Sequence, residues 1–136
     1  MVEAEGRNYR FDGVEAITPD VLETFPYEYA GRNAVVDIST DEFSAVCPFS
    51  GLPDFATLTV HYLPFRECIE LKSLKYYLTS YRNVGIYQEH AAHRILDDLV
   101  ACCDPKWMEV VLDYGLRGGI HTVVTVEHGD RPSTHP

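Results

Sequence analysis

An alternation of apolar and polar side chains marks the clearest strand of the chain, over Phe55–Leu63. The apolar members fall on one side and the polar members on the other: Ala56, Leu58, Val60 and Tyr62 against Thr57, Thr59 and His61. A period of two predicts a half-buried antiparallel strand. The β-branched segment Ala34–Thr40 predicts a strand before it, and a turn rich in proline and glycine separates the two.

The apolar period then lengthens to three and four residues, which predicts two amphipathic helices. The first covers Glu70–Tyr81, with an apolar face of Leu71, Leu74, Leu78 and Tyr81. The second covers Glu89–Cys103 and ends at Asp104-Pro105, because the residue before a proline disfavours helix. Its apolar face consists of Ala92, Ile95, Leu96, Leu99, Val100 and Cys103.

Two further strands are predicted after the helices, at Trp107–Tyr114 and Ile120–Glu127, joined across the glycine-rich segment 115–119. This order of elements predicts an α+β fold, a four-stranded antiparallel sheet with a helix pair on one face. Residues 1–32 are predicted to form an N-terminal arm, 33–128 a single domain and 129–136 a flexible tail. The open edges and one bare face of such a sheet also predict self-association.

Composition fits one folded domain, since the 136 residues are 46% hydrophobic and 24% charged. The formal net charge of −10 argues against nucleic acid or an anionic membrane as partner, because both need a basic surface. The segment 66–94 is less acidic, with five basic and three acidic residues. It indicates either a local anion site or a solvated helix face.

Two further features bear on where the protein works. No apolar run is long enough for a membrane span, and no signal peptide opens the chain. The four cysteines form no CxxC pair, which favours a reducing cytoplasm.

Candidate chemistry centres on Cys47, which lies in a turn seven residues before Asp54. A turn can expose a thiol, its thiolate is a strong nucleophile, and a nearby carboxyl group can supply a proton. The residue types leave two other interpretations open, a buried structural cysteine and an aspartate that closes a turn. Glu89 could stabilise a helix N-terminus or accept paired N–H groups from a guanine-like edge.

Other kinds of site are disfavoured. His90 and His93 are three residues apart on one predicted helix, but no third ligand stands at a zinc-like spacing, so no metal site is expected. The sequence also contains neither GxGxxG nor a P-loop, which excludes the two common nucleotide-binding scaffolds.

Two segments resemble the 7-cyano-7-deazaguanine reductases, the QueF family. Residues 47–56, CPFSGLPDFA, resemble the nucleophile segment of that family, and residues 70–77, ELKSLKYY, resemble its signature motif. The segments Ser80–Asn83 and Arg117–Gly119 are also similar, and the resemblance extends from Asn33 to Glu127 without evident gaps.

The resemblance implies a nitrile reductase of queuosine biosynthesis, a tRNA-modification pathway. Such an enzyme converts 7-cyano-7-deazaguanine to its aminomethyl form with two NADPH, through a thioimide on Cys47 and with Asp54 as proton donor. The resemblance also implies the tunnelling fold, in which subunits close into β-barrel rings and active sites lie between subunits. The assembly it implies is a decamer of two stacked pentamers.

Substrate-binding residues follow from the resemblance by position, and they are Ile69, Glu70, Leu71, Gln88 and Glu89. The residues predicted to bind NADPH are Lys72, Ser73, Lys75 and Arg117. Residue chemistry favours three of the latter: the two lysines share a helix face, and the arginine adjoins glycines that allow a phosphate to approach. Three residues depart from the family pattern, namely Ser50 for threonine, Leu52 for glutamine and Gln88 for histidine.

Three alternatives compete with the reductase. An archaeosine-type amidinotransferase uses the same thioimide but adds ammonia on tRNA, and it lacks the reductase signature found here. A zinc hydrolase similar to GTP cyclohydrolase shares the fold but requires a Cys/His ligand set. A non-catalytic purine-binding module would make Cys47 incidental.

Overall fold

The computed structural model describes residues 10–133 of the chain. Two 3₁₀ turns, Val14–Ala16 and Pro19–Val21, precede the regular elements. These elements are β1 (Thr24–Pro26), β2 (Val36–Val46), β3 (Pro53–Leu63), β4 (Glu67–Ile69), α1 (Leu71–Thr79), α2 (Gln88–Cys103), β5 (Trp107–Arg117) and β6 (Ile120–Gly129). Within this part of the chain, no helix is long and apolar enough to cross a membrane.

A four-stranded antiparallel sheet in the order β2-β3-β5-β6 forms the body of the fold, which confirms the predicted α+β class. On β3 the four apolar residues of the predicted alternation are buried: Ala56, Leu58, Val60 and Tyr62. They join one core with the buried faces of both helices. The helix pair therefore lies on one face of the sheet, as the strand periodicity requires.

All four strands of the sheet are longer than the sequence predicts, and two of them, β2 and β5, extend through a register shift. A register shift between Thr40 and Phe43 lets β2 continue to Val46, past the acidic pair 41–42 that interrupts its apolar pattern. A second shift between Asp113 and Leu116 carries β5 through Gly115, so only Gly118 and Gly119 connect it to β6. Both glycines have positive φ, 57° and 79°, as the tightest hairpin turns require.

The apolar face predicted for α1 needs one correction. Leu74 and Tyr81 are buried as expected, but Leu71 is 58% exposed and Tyr77 is fully buried. Leu71 lies beside β2, an edge strand of the described sheet, in an open groove of about 230 Å³. The edge position of β2 therefore leaves the first apolar residue of the helix open to solvent.

A buried polar network joins the two helices. The Tyr77 hydroxyl donates to Asp98 of α2 at 2.6 Å and lies 2.7 Å from the hydroxyl of Tyr81. Arg94 donates to the same Asp98 carboxylate oxygen at 2.7 Å. Burial raises the pKa of Tyr81 and, more strongly, that of Tyr77, so both phenols remain protonated and act as donors.

The described part of the N-terminal arm is tied to α1. Glu23 receives the amide hydrogen of Glu70 and donates its own amide hydrogen to Ser73 Oγ, both at 2.9 Å. Strand β1 pairs with β4 immediately before the helix. At the other end of the chain Gly129 still belongs to β6. Residues 1–9 and 134–136 of the predicted arm and tail lie outside the described part, and the domain boundaries stay a prediction.

Candidate active site

Cys47 directly follows the last residue of β2, at the turn that leads into β3. Its carbonyl accepts the Gly51 amide hydrogen and its amide donates to the Leu52 carbonyl, each at 2.8 Å. Gly51 has a φ of 72°, the left-handed conformation that such a turn requires. The turn leaves the thiol half-buried, so it is accessible and held by a defined backbone.

The surroundings of Cys47 favour its thiolate form. The pKa of the thiol is lowered, first by a hydrogen bond with the Ser50 side chain and then by the Ser50 amide. Burial opposes the shift, while the Phe49 amide and the Arg117 cation add to it. A lowered pKa raises the fraction of nucleophilic thiolate at neutral pH. Ser50 stands where the family has threonine and lacks only its methyl group. It therefore keeps the hydroxyl that lowers the pKa of Cys47.

Asp54 lies on the core side of β3 and is 3% exposed. Its Cα partner across the strand pair is Ala45, two residues before Cys47. Its Oδ1 atom contacts Nη1 of Arg117, and the two side chains form an ion pair. A carboxylate this buried requires such a partner, because an unpaired buried charge is strongly unfavourable.

The start of α2 lies at the same end of the sheet. Val46 exchanges backbone hydrogen bonds with Val84 and Ile86, which places the segment before α2 beside the Cys47 turn. Gln88 is half-buried and Glu89 is exposed at the first turn of that helix. Burial raises the pKa of Tyr114, and the Glu89 charge adds to this effect. Five predicted residues therefore lie at this end of the sheet, and we call them the thiol group: Cys47, Asp54, Gln88, Glu89 and Arg117.

The other predicted residues lie around the start of α1, and we call them the helix group: Ile69, Glu70, Leu71, Lys72, Ser73 and Lys75. The Glu70 carboxylate caps the helix, accepting the amides of Lys72 at 2.9 Å and Ser73 at 2.7 Å. These two amides, the Lys72 amide first, lower the pKa of Glu70. Ser73 is buried with its hydroxyl bonded to backbone groups, whereas both lysines are exposed.

The two groups are not adjacent within one chain. Ile69 donates its amide hydrogen to the Tyr62 hydroxyl near the end of β3, whereas Cys47 and Asp54 lie at the start of that strand. At the far end of α1, Tyr81 packs on Phe43 with ring centres 5.2 Å apart. The nine residues of α1 span roughly 13 Å at 1.5 Å per residue. A single chain therefore holds two halves of the predicted site, separated by a helix length.

Sequence reasoning missed the contact between Arg117 and Asp54. The arginine was expected to serve the cofactor together with the two lysines of α1, which lie in the other group. A signal was present in Gly115, two residues before the arginine, because a glycine inside a strand often marks a bulge.

A family model described as QueF-like protein matches residues 53–133. The match covers β3 to the end of the described chain, including Asp54 and Arg117.

The chain belongs to this QueF-like family. A protein of Caldicellulosiruptor bescii named NADPH-dependent 7-cyano-7-deazaguanine reductase is 59% identical over 88% of this chain and 92% of its own length. A protein of the same name from Caldanaerobacter subterraneus is 56% identical over 88% of this chain and 90% of its own length. Both alignments span nearly the whole of each protein.

A solved relative supports the fold of this QueF-like chain. It is the archaeosine synthase QueF-Like in its apo form, with a TM-score of 0.67 and 26% sequence identity. The match covers 72% of this chain and 96% of that one.

Proposed function

We propose that the chain is an NADPH-dependent nitrile reductase that converts 7-cyano-7-deazaguanine to 7-aminomethyl-7-deazaguanine in queuosine biosynthesis. The observation that carries this proposal is the 59% identity, over 92% of its length, to a protein named for that activity. Two features of the structure support it: the pKa of the Cys47 thiol is lowered, and the buried Asp54 pairs across the strands with Ala45, two residues before Cys47.

The first step of the proposed mechanism joins Cys47 to the substrate. The sulfur attacks the electrophilic nitrile carbon, a C–S bond forms, and one π bond of the nitrile breaks to leave a thioimide. The nitrogen gains a proton, which balances the proton lost by the thiol. We assign the transfer of that proton to Asp54, because it lies on the strand beside the Cys47 turn.

Two reductions complete the reaction. When bound, two NADPH molecules in succession would supply the hydrides, the first for the thioimide carbon and the second for the imine carbon. Between the two reductions, the C–S bond breaks, the Cys47 thiolate leaves, and the carbon–nitrogen double bond of the imine forms. Each reduction also consumes one proton, so the residues around Asp54 must deliver two protons from solvent in addition to the one that Cys47 released.

Lys72 and Lys75 are the residues that we propose hold the cofactor phosphates. The Glu70 carboxylate already occupies the first amides of α1, so the helix N-terminus itself is not a free anion site. The two exposed ammonium groups, three residues apart on one face, remain available to a polyanion. Ser73 would not contact the phosphates itself. Its buried hydroxyl would instead fix the backbone at the start of α1, which carries both lysines.

A complete site requires a second copy of the chain. The thiol group supplies the nucleophile, the acid and the carboxylate Glu89, while the helix group supplies Ile69, Glu70, Leu71 and the lysines. We therefore propose that subunits associate side by side so that the start of α1 from one copy meets the Cys47 turn of the next. The open strands β2 and β6 allow this arrangement as a closed ring, and two stacked pentamers are the assembly we expect.

The amidinotransferase alternative is supported by the similarity to the archaeosine synthase, but at only 26% identity. The zinc hydrolase is disfavoured, because no three potential metal-ligating side chains lie together within residues 10–133. A cytoplasmic location stays a prediction, drawn from the absence of a CxxC pair among the four cysteines.

Stoichiometry tests the proposal. Purified protein, the nitrile and excess NADPH should yield one amine for every two NADPH oxidised, with no oxidation when the nitrile is omitted. Replacing NADPH by an ammonium salt should give no amidine. An amidine product, or no NADPH oxidation by folded protein, would reject the reductase in favour of the transferase or a binding module.

A further inference from the structure

We propose that Arg117 is a positioning residue for proton transfer: it holds Asp54 as a carboxylate aimed at the Cys47 turn. This proposal rests on the proposed function and gives Arg117 a role in adduct formation, the step that needs no cofactor. The observation behind it is the contact between Arg117 Nη1 and Asp54 Oδ1, with the aspartate side chain 5% and the arginine side chain 42% exposed.

The bulge in β5 is what turns Arg117 toward Asp54. Along this strand Val110, Leu112 and Tyr114 are buried against the helices. A regular alternation would put residue 116 on that side and Arg117 on the opposite side of the sheet. The shift between Asp113 and Leu116 inverts the alternation, so Leu116 is 75% exposed and Arg117 reaches the buried Asp54.

A local hydrogen-bond pattern holds the bulge in place. Asp113 Oδ1 accepts the Gly115 amide hydrogen at 3.1 Å and lies 2.7 Å from His121 Nε2 on the facing strand. Gly115 has a φ of 65°, which a side chain would disfavour. Asp113, Gly115 and His121 thus hold the bulge that turns Arg117 toward Asp54.

The chemical consequence concerns the thiol proton. A carboxylate held by Arg117 can accept the proton of Cys47 as the C–S bond forms, and then return it to the nitrile nitrogen as the π bond breaks. Overall one proton moves from sulfur to nitrogen, and no oxidant or reductant is required. The same cation also contributes to lowering the pKa of the Cys47 thiol, so the thiol gives up that proton to Asp54 more readily.

Adduct formation without NADPH separates this role from cofactor binding. Mixing enzyme with 7-cyano-7-deazaguanine alone and following the covalent adduct by intact mass should show roughly tenfold slower formation in Arg117→Gln, the size of a lost charge interaction. Arg32→Gln is the matched control, because it removes one exposed cation just before β2, at the end of the β2–β3 pair opposite Asp54, and it should form adduct at the wild-type rate. Reaction of Cys47 with iodoacetamide, located by peptide mapping, should slow in Arg117→Gln.

A double-mutant cycle decides whether Arg117 acts through Asp54. In an Asp54→Asn background, Arg117→Gln should slow adduct formation far less than it does in the wild type. Equal slowing in both backgrounds, or wild-type adduct formation by Arg117→Gln, would overturn the proposal. If thermal unfolding shows that Arg117→Gln fails to fold, Arg117→Lys carries the same cycle with a smaller expected slowing. A wild-type protein that forms no adduct would instead refute the proposed function.

Discussion

At the scale of single residues, the site depends on what surrounds Cys47 more than on the cysteine itself. Cys68 and Cys103 have raised pKa values, mainly because of burial, whereas the Cys47 pKa is lowered by Ser50 and its neighbours. Of these three cysteines, only Cys47 lies in a turn that directs a hydroxyl group and amide groups at the sulfur. The surroundings of Cys47 therefore differ from those of the other two thiols, a difference that spacing in the sequence could not show.

Ser50→Ala tests that distinction through pH. The Ser50 hydroxyl is the largest cause of the lowered pKa, so its loss should raise the pKa of Cys47. Thiolate is present above the pKa, so the iodoacetamide rate profile should move to higher pH and the rate at neutral pH should fall. Ser44→Ala, on the preceding strand, is the control. An unmoved profile would show that the amides alone stabilise the thiolate.

Gln88→His tests the departure from the family pattern. Gln88 is half-buried at the start of α2, within the thiol group. An imidazole there would add a group that titrates near neutral pH and can relay the protons that the reductions consume. We expect a higher turnover rate, or a pH profile with an added ionisation, measured by NADPH oxidation. Identical profiles would indicate that solvent already supplies these protons.

At the scale of elements, the sequence predicted which elements exist better than where they end. Periodicity located α2 to within one residue, because six apolar positions on one face outweigh any local exception. It placed the ends of β2 and β5 too early, since both strands pass through register shifts that break a period of two. The second of these shifts is what brings Arg117 to Asp54. The error in the strand thus accounts for the missed contact in the site.

Tyr77→Phe tests the network that joins α1 to α2. The substitution leaves Asp98 without its 2.6 Å donor and Tyr81 without its acceptor, inside the core. Loss of a buried, charge-assisted hydrogen bond should lower the free energy of unfolding by about 1–3 kcal/mol, seen as a lower midpoint in thermal denaturation. Tyr76→Phe removes the same hydroxyl from a residue that is 59% exposed and should have little effect. Equal midpoints for both variants would contradict a stabilising network.

At the scale of the whole molecule, the separation of the thiol group from the helix group has the largest consequence. Motif resemblance predicted both sets of residues, but a linear sequence does not show that α1 holds them apart within one chain. Arg117 was expected to form one cofactor site with Lys72 and Lys75, but within one chain it lies in the thiol group and the lysines lie in the helix group. A site that contains both groups requires contact between two copies of the chain. The burial and hydrogen bonding of a single chain cannot show such a contact.

Mixing two defective variants tests the shared site. Cys47→Ala lacks the nucleophile, and a Lys72→Ala/Lys75→Ala double variant lacks the phosphate contacts, so each should have little activity at low NADPH. Randomly mixed subunits, co-expressed with different tags, should regain about a quarter of the wild-type activity per site, because each site draws its halves from two copies. No recovery in verified hybrid oligomers would mean that the site is complete within one chain.

The most direct test of the central claim follows the bond between Cys47 and the nitrile through one turnover. Intact-mass measurement should show an adduct when protein and 7-cyano-7-deazaguanine are mixed without NADPH, mapped by peptide analysis to Cys47. Adding NADPH should remove the adduct and release the aminomethyl product, while Cys47→Ala should form neither. Amine produced by Cys47→Ala, or an adduct that persists after NADPH is added, would contradict a thioimide on the reduction path.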